Sequence, residues 1–143
     1  MEVINQQKLT FEGVDIINVH FEAKKTKEAE MSIHVDCKPL AAIHKNDKNK
    51  FSIIMDVDVS SESFFTFSLR AIGKFKLNEE TDETLKNEFI KANAVAIMFP
   101  YIRAFIATFT ANLGNVTGAL SLPTMFFEGN VDTVDEWESK ELE

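Results

Sequence analysis

The sequence predicts a single α+β domain, a four-stranded antiparallel sheet followed by a long helix in the second half of the chain and a short second helix. Four segments of the first half alternate apolar and polar residues with period two. The second half switches to apolar residues three or four apart, and short polar connections separate the strand segments. With 143 residues, one core is expected rather than two. Residues 14–127 make up its ordered part, and residues 128–143 an acidic tail.

In the first strand segment, 14–22, Ile17, Val19 and Phe21 alternate with Asn18, His20 and Glu22, which places the first three on one buried face. In 30–38, Met31, Ile33, Val35 and Cys37 alternate with Ser32, His34 and Asp36. The third segment, 51–60, sets Phe51, Ile53, Met55, Val57 and Val59 against Ser52, Asp56, Asp58 and Ser60. The fourth, 64–77, puts Phe65, Phe67 and Leu69 on one face, with Gly73 expected at a bulge or bend. Polar links such as 45–49 and 60–63 suit hairpins, so consecutive strands pair antiparallel.

From about Asp82 the period becomes helical, with Leu85, Phe89, Ala92, Ala96, Phe99, Ile106 and Phe109 on one stripe. Glu79, Glu80, Asp82 and Glu83 suit the positive end of the helix dipole, and Gly114 supplies a stop. A second stripe, Val95, Met98, Ile102 and Phe105, makes the later half apolar nearly all round. One sheet face covers only one stripe, so a second subunit is expected on the other, with Ile102 and Phe105 at the contact. Pro100 deletes a backbone donor and is expected to kink or interrupt the helix. Past Gly114, the apolar hexapeptide 122–127 lies in a loop, and Val131, Val134 and Trp137 suit a short second helix.

Thirteen Phe accompany one Trp and one Tyr, so nearly all the aromatic surface is apolar and grips without reading hydrogen bonds. The formal charge is -8, but seven acidic residues and one Lys from Glu128 onward hold most of it, leaving a body close to neutral. Nothing there offers the basic face that nucleic acid requires. One cysteine, Cys37, excludes an internal disulfide, and the first eight residues lack the basic start and apolar stretch of a secretory signal, so a cytoplasmic location is expected. The apolar run 94–111 carries Pro100 and Arg103. An arginine at a bilayer centre costs about 2.5–3.5 kcal/mol, so a buried helix is expected there, without membrane insertion.

No glycine pattern cradles phosphate, so neither nucleotide nor another cofactor is expected. His20, His34 and His44 have no zinc-type spacing. His34 and Asp36, with Asp56 and Asp58, share strand faces, which a solvated sheet surface explains without a metal. Cys37 alternates with apolar neighbours as a small core residue does. No catalytic constellation emerges, and the chain is read as a non-enzyme.

Several of these segments resemble the SecB family of export chaperones. Met98-Phe99-Pro100-Tyr101-Ile102-Arg103 resembles the "LFPYAR" signature of that family's long helix, and Leu122-Pro123-Thr124-Met125-Phe126 its downstream "L-x-P-V-N-F" element. Upstream, Val19-His20-Phe21-Glu22-Ala23 looks like "I-S-F-E-A", and Gly73-Lys74-Phe75 like "G-I-F". The resemblance implies a dimer of dimers that holds unfolded preproteins for the Sec pathway without ATP. It implies client contacts at Phe65, Phe67, Phe75, Met98 and Phe126, and docking of the SecA motor at Glu22. Asn18 and Ser68 stand where the family has acidic docking residues, and the charged stretch 24–29 lacks the family's Trp-Gln-Pro element. Two other readings use the same residues: a dedicated SecB-like chaperone of one client such as an antitoxin, and a scaffold for one folded partner.

Overall fold

The computed structural model describes residues 9–25, 31–47, 49–77, 88–123 and 131–137. Within them, the alternating segments become β1 (Leu9–Ala23), β2 (His34–His44), β3 (Lys50–Ser61) and β4 (Phe65–Leu77). The helix α1 (Glu88–Ala111) and a fifth strand, β5 (Asp132–Trp137), follow. The sheet order is β1-β4-β3-β2-β5. β2 pairs with β3 and β3 with β4 antiparallel, as their short polar links suit, but β1 crosses over to pair antiparallel with β4 rather than with β2, and β5 runs parallel to β2, so the sheet is mixed.

The short second helix is thus a strand. Val131, Val134 and Trp137 are spaced for a helical stripe, yet the open edge of β2 supplies a backbone ladder that a six-residue helix cannot match. Part of the expected acidic tail therefore belongs to the sheet.

The β3 and β4 alternation holds without interruption: Phe51, Ile53, Met55, Val57, Val59, Phe65, Phe67, Leu69, Ala71 and Phe75 are all buried on the face toward α1. β1 does not keep phase. Two of its residues oppose one of β4 between Phe11 and Val14, and again between Ile17 and His20, with positive φ at Gly13 (112°) and Asn18 (54°). Each bulge flips the phase. The core side of β1 therefore reads Phe11, Val14, Ile16, Val19, Phe21, while Ile17 joins Ala42, Ile54 and Ile72 on the opposite face. The bend expected at Gly73 falls on β1 instead. Gly73 serves a different need, because a Cβ there would lie 2.9 Å from the Met98 sulfur and 2.9 Å from the Phe75 ring. The helix approaches the sheet at that residue.

α1 continues through Pro100 without interruption. The ring sits on an exposed position of the outer face, turned from the sheet. Ala94, Val95, Met98, Phe99, Ile102 and Ile106 face the core, whereas Ala92 and Ala96 are exposed. Val95, Met98 and Ile102 of the stripe expected to need a second subunit are thus covered by the sheet, together with Phe99 and Ile106 of the first stripe. The stretch Lys91–Ala111 is long and apolar enough to cross a membrane by length and composition alone, with a mean hydropathy of 1.6. In this fold one side of it is core.

After α1 the chain turns through Gly114 (φ 71°) and returns along the helix. The fully buried Thr110 hydroxyl donates to the Ile106 carbonyl (2.7 Å) and accepts from the Leu120 amide (2.9 Å). Arg103 Nε donates to the Leu122 carbonyl (3.2 Å). Leu120 and Leu122 are thereby set into the core.

Candidate functional site

Helical spacing of four places Tyr101, Phe105 and Phe109 one above another on α1. β1 brings an aromatic to each end of this row. Phe11 lies 5.2 Å from Tyr101 between ring centroids, and Phe21 lies 6.0 Å from Phe109, with Phe105 5.7 Å from Phe109. Tyr101 is 53% exposed, and Phe11, Phe21, Phe105 and Phe109 are half-buried. Together they form an aromatic strip along the seam between β1 and α1.

Three of the expected client residues form the floor beneath this strip. Phe75 meets Phe11 at 5.4 Å and stacks on Phe51 at 5.4 Å, Phe65 stacks on Phe21 at 5.7 Å, and Phe67 meets Phe109 at 5.0 Å. Phe65, Phe67, Phe75 and Met98 are each at most 1% exposed. In the single chain they are core residues, not a groove surface, because α1 and the aromatics of β1 cover them. Phe126 lies outside the described residues. Ile102 is fully buried against the sheet, leaving no surface for a subunit contact, while Phe105 belongs to the strip. The exposed apolar side of α1 is carried by Ile97 (39%) and Tyr101.

Phe11 precedes the expected start of β1, strict alternation sets Phe21 on the buried face, and the first helical stripe takes in Phe109. Only the spacing of Tyr101, Phe105 and Phe109, read as a third helical stripe, points to the strip.

On the sheet face away from α1, opposite the strip, a shallow hollow of about 480 Å³ lies over β1, β4 and β3. The side chains of His20, Glu22, Asp58, Ser60, Thr66 and Ser68 line it, and the side chains of the intervening Phe21, Val59 and Phe67 pack on the core face. Glu22 is exposed there, opposite Thr66, with Ser68 near it; Asn18 sits apart, at the bulge. Register sets Asp36 directly opposite Asp58, a like-charge pair that Lys38 partly offsets from 3.7 Å. Asp56 is held by Arg70 through two hydrogen bonds of 2.7 and 3.0 Å. Among the described residues no three His, Cys, Asp or Glu side chains converge as a metal set would. Burial, then Asp36 and Asp58, push the Cys37 thiol up to about 12, so it stays protonated and unreactive near neutral pH.

The fold is found in a known structure. The chain superimposes on the Mycobacterium tuberculosis SecB-like chaperone Rv1957, solved with a ChAD peptide from the Rv1956 HigA1 antitoxin, with a TM-score of 0.66 and 12% identity over 83% of this chain and 88% of that one. The fold is therefore SecB-like. In sequence, the chain is 27% identical to an uncharacterized protein of Methanocaldococcus jannaschii, over its whole length and 95% of the relative's. No family model matches.

Proposed function

We propose that the protein is a chaperone that holds unfolded polypeptides without nucleotide or enzymatic chemistry. The observation that carries this reading is the half-buried aromatic strip on a SecB-like fold. Five aromatic rings in one seam offer large apolar contact, and only Tyr101 among them adds a hydrogen-bonding group. Such a surface accepts many sequences, as a holdase must. The peptide-bound state of Rv1957 supports a polypeptide ligand for this fold.

The test is suppression of aggregation of a chemically denatured protein. The expected result is protection in stoichiometric amounts, unchanged by ATP, and weakened by Phe105→Ser with Phe109→Ser. Full protection by the double variant, with its fold intact by circular dichroism, would move the client surface elsewhere.

Within this reading the chain acts in the cytoplasm as a homotetramer. The exposed Ile97 side of α1, beside the strip, supplies the apolar contact between subunits. Light scattering is expected to give a mass near four chains of 16.2 kDa, and a monomer at micromolar concentration would refute it. Delivery of preproteins to SecA for export is the finer reading, and it rests on the exposed Glu22 beside the hollow. Its check is calorimetry at low salt with a basic SecA tail peptide, where Glu22→Lys is expected to weaken binding. A single antitoxin-like client is the second reading, favoured by the peptide that Rv1957 holds. Co-purification of one small protein, rather than many preproteins, would select it.

A further inference from the structure

β5 is attached to the sheet differently from the other strands. Its described side chains, Asp132, Thr133 and Val134, are exposed, so pairing removes little of their surface from water. Main chain holds the strand instead. The parallel ladder runs from Leu40↔Asp132 to Ala42↔Val134, breaks register, and resumes at His44↔Trp137. Just before it, Val131 is 1% exposed and seated in the core. The buried Lys91 donates from Nζ to the Val131 carbonyl and, at 3.0 Å, to Oγ1 of Thr133. A backbone ladder, a carbonyl clamp and one apolar seat recognise extended polypeptide of varied sequence.

The edge is also longer than its occupant. β2 has 11 residues, and β5 pairs only from Leu40 to His44. Among the described strands none pairs with the outer edge of β2 from His34 to Pro39, where the core-facing Val35 and Cys37 are still half-buried. Pro39, with no N–H, stands where β5 pairing begins. An edge that no described strand pairs, over apolar side chains, is a template for another strand.

We infer that the outer edge of β2 is a docking slot for an extended segment of a client polypeptide, held in this structure by β5, which the client strand displaces. The inference rests on the holdase reading and adds a second point of attachment to it. The segment it fits is extended and unstructured, with one apolar residue to enter the seat of Val131 and free main chain beyond it.

A reversible tether tests this in the full chain. Ala42 and Val134 are ladder partners, and neighbouring strands lie about 4.8 Å apart, within reach of a disulfide. Ala42→Cys with Val134→Cys, in a Cys37→Ser background, locks β5 when oxidised. Binding of reduced, carboxymethylated α-lactalbumin, read by fluorescence anisotropy, is expected to weaken at least tenfold on oxidation and to recover on reduction. Equal binding by both forms would overturn the slot and leave the holdase reading standing. Absence of binding by both forms and by the unmodified chain would overturn the holdase reading and the slot with it. The opposite variant, Thr133→Pro with Val134→Pro, releases β5 without a new bond. It is expected to lose amide protection at residues 40–44, to bind the same probe at least threefold more tightly, and to regain that protection when the probe is bound. Unchanged or weaker binding with β5 released, or amides that stay unprotected in the complex, would also overturn the slot.

Discussion

Phe67 and Phe109 touch with ring centroids 5.0 Å apart, yet Phe67 is 1% exposed and Phe109 half-buried. The same contrast separates Phe65 and Phe75 from Phe21 and Phe11. The floor rings lie on β4, a strand flanked on both sides and covered by α1, so they lose nearly all contact with water. The rim rings lie on an edge strand and on the flank of the helix, where covering is one-sided. Residue type is shared, and position in the layers divides it into packing and surface. Floor rings contribute to folding, and the rim rings keep apolar area for a ligand.

The largest blow to this contrast is Phe67→Ala, expected to cost about 3–5 kcal/mol in urea unfolding, because it empties a site with no solvent to refill it. A cost near that of a rim residue would erase the distinction. Next is Gly73→Ala, where the added methyl meets Met98 and the Phe75 ring, each 2.9 Å away. It is expected to destabilise by about 1–3 kcal/mol by lifting α1 from the floor. Phe109→Ser on the rim is expected to cost only about 1–2 kcal/mol, since the ring is only partly buried. The same change is expected to weaken binding of an unfolded client severalfold, an effect that anisotropy separates from the stability change.

The smallest effect concerns pH. The Cys37 thiol has a folded-state value of about 12, above its ordinary 9.0. The folded state thus favours the neutral thiol, and its contribution to stability is full below about pH 9 and is lost as pH rises toward 12. The stability difference between the natural chain and Cys37→Ala is expected to stay constant from pH 6 to 8 and to shift against the natural chain between pH 9 and 11. A constant difference over that range would place Cys37 in a wetter environment.

The central strands were readable because their alternation is uninterrupted and both neighbours enforce it. β1 was readable as a strand but not in phase. Strict alternation placed Ile17 with Val19 and Phe21, and the bulge at Asn18 separates them. Gly13 was a visible hint of a positive φ, whereas Asn18 was not, since asparagine serves many other conformations. The candidate site was hidden for a different reason. Large apolar residues such as Phe65 and Met98 match a binding groove and a core equally well by type, and only their burial assigns them to the core.

The sequence by itself determined the α+β class, the antiparallel pairing of β2 with β3 and of β3 with β4, and the apolar, Phe-rich character of the seam. Each of these is written in local periodicity and composition, which neighbouring residues impose on one another. Tertiary structure alone decided which helical stripe meets the sheet and which aromatics remain at the surface. It also decided that Asp132–Trp137 pairs with the β2 edge from Leu40 to His44 as a parallel strand. Those outcomes depend on partners far apart in the chain, on the close approach at Gly73 and on the phase shifts of β1, and no local pattern encodes them.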